Sequence, residues 1–181
     1  MHIADVGGEV MTRLGASPLE LVGDTIYQAL KKGTIDAAEW VGPNDAEKLG
    51  FYKVAPHYHY PGWWESNSQY SFYVNSKTWD ALPKDYQAAF KAAAAEVNID
   101  MMAMYDFKNR PALRNLAGSG IKLHAYPTEM LEAGQTAAFE LYAKEADKNP
   151  AFRKMHEPWK KFPAGIMLWQ RFTEHTYSNF V

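Results

Sequence analysis

The sequence predicts an α/β fold, and three observations carry that expectation. Short apolar runs alternate with amphipathic stretches through the first third of the chain, the pattern of strands joined by helices. Glycine or proline punctuates each change of pattern. From Lys84 onward, apolar residues follow a helical period over most of the remaining chain.

Taken in order, Ile3 to Val6 is expected as a strand ending at Gly7-Gly8. A helix with Val10, Met11 and Leu14 on one face follows and stops at Gly15. Leu19 to Val22 is expected as a second strand. Asp24 is expected to cap a helix carrying Ile26, Tyr27 and Leu30, which Gly33 closes. Ile35 to Val41 completes the unit as a third strand, ended by Gly42-Pro43. The middle is aromatic, with Tyr52, Tyr58, Tyr60, Trp63 and Trp64 close together and Pro56, Pro61 and Gly62 opposing helix. Tyr70 to Asn75 reads as a strand. A long helix is expected from about Lys84 to about Leu116, its buried face formed by Tyr86, Phe90, Ala93, Val97, Met101 and Met104. Pro111 should kink or interrupt it, and Gly118 and Gly120 should end it. Leu123 to Tyr126 reads as a short strand, and Thr128 as the cap of a helix running to about Lys148. Asn149-Pro150 breaks the chain before a tail in which Phe162, Ile166, Trp169, Tyr177 and Phe180 recur at roughly helical spacing.

A length of 181 residues suits one domain or two small lobes. The reading divides the chain into an α/β ligand-binding lobe with crossing segments and a long helix over 1–126, and a C-terminal helical segment over 127–181 that is not an independent domain. The formal net charge of −2 leaves no basic excess to grip a phosphate backbone, so nucleic acid is not an expected partner. The absence of cysteine excludes disulfides, thiolate metal sites and cysteine nucleophiles. No apolar run approaches the roughly 20 residues of a membrane span. The start, Met-His-Ile-Ala-Asp, lacks the cationic and apolar regions of a secretory signal, so either the protein is cytoplasmic or its true N-terminus lies upstream.

Catalytic signatures are missing: there is no nucleophile elbow, phosphate loop or His-Glu-x-x-His zinc motif. Gly7-Gly8 lacks the rest of a dinucleotide fingerprint and reads as a tight turn. His57-x-His59 places two imidazoles on one face of a strand, as a metal pair or as two half-exposed strand histidines. Two acidic residues stand out. Glu39 precedes Trp40 at the end of an apolar run, and Glu65 follows Trp63-Trp64. A carboxylate between bulky apolar groups loses hydration and needs a proton, hydrogen bonds or a counter-ion. Converging in an aromatic cleft, the pair would suit a hard cation; apart, they are two rim glutamates.

Four blocks carry a resemblance to a known family: Gly7-Gly-Glu-Val-Met11, Gly33-Thr-Ile-Asp-Ala-Ala-Glu-Trp-Val-Gly-Pro43, Lys48-Leu-Gly-Phe-Tyr-Lys-Val-Ala-Pro56 and Tyr60-Pro-Gly-Trp-Trp-Glu65. The chain resembles, along essentially its whole length, the DctP-like solute-binding subunits of tripartite ATP-independent periplasmic (TRAP) transporters. Within them it is most similar to the branch that binds 2-oxo acids or lactate with a metal ion. The resemblance implies a periplasmic-binding-protein-like second lobe with crossing strands and long C-terminal helices. It implies a periplasmic location for the whole receptor, delivery of a small organic acid to a membrane permease, and no enzymatic activity. It further implies Glu39, Glu65 and the Trp40 carbonyl as ligands of a bridging sodium or calcium ion, with Trp40 and Trp63 walling the organic part. A homo-oligomer is also implied, since related receptors dimerise through C-terminal helices and the tail stripe needs a covering surface.

Two departures qualify that picture. Where the family pattern places an arginine that forks onto the substrate carboxylate, this chain has His2, which cannot form a bidentate fork. The chain also begins near the family's midpoint, so it is expected to be the C-terminal portion of a longer receptor. Calcium takes about six to eight oxygens, more than this stretch offers by itself, so an affinity no tighter than about millimolar is expected of it. The rival readings are a truncated fragment or oligomeric helical scaffold that binds nothing, and a small α/β enzyme using Glu65 as a base.

Overall fold

The computed structural model describes residues 1–65 and 67–180, with Ala164 described by its backbone alone. The chain divides into two compact units, Met1–Thr128 and Glu129–Val181. Ser66, inside the expected 1–126 lobe, and Val181, at the end of the expected 127–181 segment, lie outside the described residues.

The first unit is built on extended segments that meet at His2. Its backbone bridges Leu19 on one side and Ala38 on the other, both in parallel. His2 N–H donates to Ala37 at 2.8 Å, Glu39 N–H donates to His2 at 3.0 Å, and Leu19 N–H donates to Met1 at 2.9 Å. The second and third expected strands therefore occur only as the single bridges at Leu19 and Ala38, and the first, Ile3 to Val6, is not formed: the bridge lies before it, at His2. α1 (Asp5–Arg13) begins within that expected strand, absorbing Asp5, Val6 and the Gly7-Gly8 pair. α2 (Gly23–Lys32) starts one residue before the expected Asp24 cap, with Val22 as N-cap. It ends as expected at Gly33, whose φ of 70° is a left-handed conformation that glycine adopts without a Cβ clash. Gly42-Pro43 opens α3 (Pro43–Leu49) with proline in the first turn, where its missing N–H costs nothing.

β1 (His57–Tyr60) pairs in parallel with β2 (Lys122–Ala125), His59 standing opposite His124. Between them lie α4 (Ser76–Ala81) and α5 (Lys84–Gly118). The expected strand at Tyr70 to Asn75 is not formed; these residues are irregular and exposed, with no pairing partner among the described residues. α5 also runs straight through Pro111. Its last turns are held from outside the helix: Ala112 and Leu116 are buried, Asn109 Oδ1 accepts from Asn44 N–H at 3.0 Å, and Asn115 donates to Glu47 at 2.9 Å. That packing outweighs the one backbone hydrogen bond proline removes. The face expected to be buried farther back is open, with Tyr86, Phe90 and Val97 exposed. The core gathers Ile26, Ile35, Ala46, Phe51 and Leu116, with Trp40 and Tyr58 packed against it.

The second unit holds most of α6 (Thr128–Lys148), followed by α7 (Pro150–Gln170), a π-helical turn over Arg171–His175, and α8 (Thr176–Phe180). Asn149 caps α7, its Oδ1 accepting from Ala151 and Phe152 N–H at 3.1 Å. α7 begins earlier than the tail spacing suggested and carries Pro158 and Pro163 inside it. Tyr142 of α6 and Phe152, His156 and Trp159 of α7 form one aromatic cluster, with the His156 ring stacked on Trp159 at 5.6 Å. Among the described residues, no helix is long and apolar enough to cross a membrane.

Candidate functional site

In parallel α/β arrangements, ligands bind beyond the carboxyl ends of the strands, where each chain leaves toward its next element. Three segments of the first unit leave in that way into one cavity of about 200 Å3. The turn after His2 contributes Ile3 to Gly7, the residue after the Ala38 bridge contributes Glu39, and the loop after β1 contributes Trp64 and Glu65. The two expected carboxylates are thus brought to one place by different segments.

Their electrostatics reflect that convergence. Partial burial holds the Glu39 carboxyl above its ordinary pKa of 4.5, and the negative charge of Glu65 adds to the effect. His2 and a hydrogen bond from the Trp64 side chain oppose it. Glu65 accepts from Ser68 Oγ at 2.8 Å and stays exposed. A half-buried carboxylate beside a second one, with one indole donor, is short of positive charge.

The other expected residues are placed differently. Trp40 turns its indole away from the cavity lining, onto Phe51 at 6.3 Å and against Gly23, where an added Cβ would lie 2.7 Å from the ring. Any role for Trp40 in the cavity rests on its backbone. Trp63 packs edge-on against Trp64 at 5.3 Å and does not line the cavity. His2 is buried, its Nδ1 lying 3.2 Å from both the Leu19 carbonyl and the Leu21 N–H. It acts on the site by pinning the extended segments and by its Coulombic influence on Glu39.

Of the lining residues, Glu39 and Glu65 are the two that the sequence points to; the others include two with side chains suited to binding, Trp64 and Asp5. Trp64 was visible only as one of a tryptophan pair, and nothing in that pair says which ring reaches Glu39. Asp5 lines the cavity from a left-handed backbone, φ 52°, which aspartate tolerates better than most residues. Among the described residues, no three carboxylate or imidazole side chains form a group able to hold a metal ion. The donor set of Glu39 and Glu65 fits a hard cation whose other ligands are carbonyl, substrate or water oxygens.

The family model of the bacterial extracellular solute-binding proteins, family 7 (DctP), matches residues 1–149. A monocarboxylate 2-oxoacid-binding periplasmic protein of Nostoc sp. is 46% identical over 180 residues, covering 99% of this chain and 50% of the relative. A TRAP transporter solute-binding protein of Bordetella bronchiseptica is 44% identical with a TM-score of 0.92, covering 99% of this chain and 54% of its own. It is a mixed-occupancy dimer with calcium and picolinate in one active site. A TRAP periplasmic solute-binding protein of Pseudoalteromonas atlantica, with bound sodium and pyruvate, is 34% identical with a TM-score of 0.92, covering 99% of this chain and 55% of its own. The chain thus spans about half the length of these relatives.

Proposed function

The chain belongs to the bacterial extracellular solute-binding protein family 7, and from that membership we propose that it is part of the periplasmic receptor of a TRAP transporter. The receptor captures a small 2-oxo or 2-hydroxy monocarboxylate with a bridging sodium or calcium ion and hands it to the membrane permease. The observation that carries this reading is the meeting of Glu39 and Glu65 in one small cavity, with Trp64 bonded to Glu39. Relatives that hold calcium or sodium beside picolinate or pyruvate support it.

In this reading Glu39, Glu65 and the Trp40 carbonyl hold the cation. When bound, the ion would neutralise the carboxylates and offer its open positions to the acid's oxygens. Glu39 binds as the carboxylate, and Trp64 orients it. Asp5 adds negative charge at the lining and makes the cavity depend on the cation before any organic anion can enter.

The receptor is also proposed to work as a homo-oligomer. Trp169, Phe172 and Phe180 are 62%, 80% and 85% exposed in the second unit, and the Bordetella relative is a dimer.

The test is titration of the 181-residue chain with pyruvate in calcium, in sodium and in chelator. Binding of about millimolar strength that needs the metal and disappears in Glu65→Gln is expected. Binding indifferent to metal or to Glu65→Gln, or none at saturating pyruvate, overturns the reading.

A further inference from the structure

On the two-stranded sheet of the first unit, three imidazoles stand in a row. His59 lies opposite His124 in the β1–β2 register, and His57, two residues earlier, shares the face. The His124 ring lies between them, 5.0 Å from the His57 ring and 4.9 Å from the His59 ring. His57 Nδ1 and His124 Nε2 are 2.8 Å apart, so one ring donates and the other accepts. None of the three is buried, and none lines the carboxylate cavity.

We propose that His57 and His124 form a second, separate metal site, selective for borderline divalent transition ions such as zinc, copper(II) or nickel. Two facing ring nitrogens are the donors these ions favour, whereas calcium and sodium take oxygens. A zinc–imidazole bond is about 2.0–2.1 Å, so tetrahedral coordination places two ligand nitrogens about 3.3 Å apart. The pair needs to open from 2.8 Å by only about half an ångström once the donor ring moves its proton, through solvent, to its other nitrogen, which leaves both facing nitrogens free to bind. Since no group of three such side chains able to hold a metal exists among the described residues, water completes the shell and His59 flanks the site by stacking. The parallel register, with His59 opposite His124, sets His57 diagonally from His124 and brings the two ligands together.

The two sites adjoin without sharing a ligand. The His59 ring lies 5.3 Å from Tyr126, Tyr126 lies 6.0 Å from Trp64, and Trp64 bonds to Glu39.

The experiment is calorimetric titration of the tag-free chain with zinc, and electron paramagnetic resonance with copper(II) to detect nitrogen ligands. His57→Ala and His124→Ala are each expected to weaken zinc binding by more than about tenfold, a lower bound taken from the loss of outer-sphere partners. Glu39→Gln and Glu65→Gln, and excess calcium, should leave it unchanged. His124→Asn, checked by circular dichroism, guards against misfolding of the alanine variant. Zinc binding unaltered in both folded histidine variants, abolished by the glutamate variants, or absent from the wild type overturns the proposal.

Discussion

The segment from His57 to Glu65 serves two faces of the same lobe, and the faces differ in kind. Upstream, its two exposed histidines, His57 and His59, sit on β1 beside the half-buried His124 of β2, spaced by the sheet. Downstream, Glu65 and Trp64 sit on an irregular loop and meet Glu39 from a distant segment. The first arrangement is set by strand periodicity and by the pairing of β1 with the distant β2, offering nitrogen to soft or borderline ions. The second is assembled by tertiary structure, offering oxygen to hard ones. Regular backbone presets ligand spacing, whereas a loop-built site depends on the core beneath it.

The sharpest way to break this contrast is to remove one donor from each face. Glu39→Gln should lower calcium-dependent pyruvate binding by at least about 10–100-fold, the cost of losing even an outer-sphere partner of a metal site. It should leave zinc binding intact, and His124→Ala should do the reverse. Parallel titrations of both variants with both ions read this out, and a variant that loses both ions would show one coupled site instead.

Next comes the shared foundation. Ile26 is fully buried in the core of the first unit, so Ile26→Ala should cost about 2–5 kcal/mol of stability. Both ions should then be lost together at the denaturation midpoint, measured by urea unfolding with and without each metal. Retention of one site past that midpoint would show that its segment folds apart from the core.

A more selective perturbation is Gly23→Ala. The new Cβ would fall 2.7 Å from the Trp40 ring and force the indole to move. Overpacking of this kind costs about 1–3 kcal/mol. Because Trp40 directly follows Glu39, calcium-dependent binding should weaken while zinc binding holds. Equal loss at both sites would mean that the irregular loop is as well braced as the sheet.

The same contrast explains what was legible in the sequence. Helices α2, α5 and α6, several of their glycine and proline ends, and the His57-x-His59 pair follow local periodicity and punctuation, which residues state directly, whereas His124 joins that pair only through the β1–β2 pairing. The apolar runs Ile3 to Val6, Leu19 to Val22 and Ile35 to Val41 predict full strands, because such runs do not reveal that pairing stops at single bridges or that α1 starts at Asp5. Pro111 predicts a kink or an interruption because a proline signal is local, whereas α5 is not interrupted there: Leu116 and Asn109 hold that end through tertiary contacts. Glu39 and Glu65 stood out by their tryptophan neighbours, but which indole would face them depends on packing. Trp40 went to the core and Trp64 to the cavity. Asp5 carried no signal, since its place in the lining follows from where α1 starts.

The smallest expected effect is in pH, where the two faces should carry opposite signs. Burial, with the charge of Glu65, raises the Glu39 pKa above 4.5, so the folded chain binds that proton more tightly than the unfolded chain. Ionised Glu39 therefore costs stability above its folded pKa, and the cost fades as pH falls through that value toward 4.5 and below. His59 runs the other way. Desolvation, with the neighbouring His124 and His57, lowers its pKa below 6.5, so the folded chain disfavours the imidazolium. Its cost is absent above 6.5 and grows as pH falls from there toward the lower folded value. His59→Gln should remove the loss on the acid side of neutrality and leave the carboxylate-range behaviour untouched. Because His59 is exposed, the change should stay within about 0.5 kcal/mol. Glu39→Gln should do the converse, removing the recovery near the carboxylate range. Urea unfolding of the wild type and both variants across pH 4 to 8 reads both signs. Identical curves for His59→Gln and wild type below 6.5 would show that the three imidazoles do not interact and would weaken the case for a paired metal site beside them.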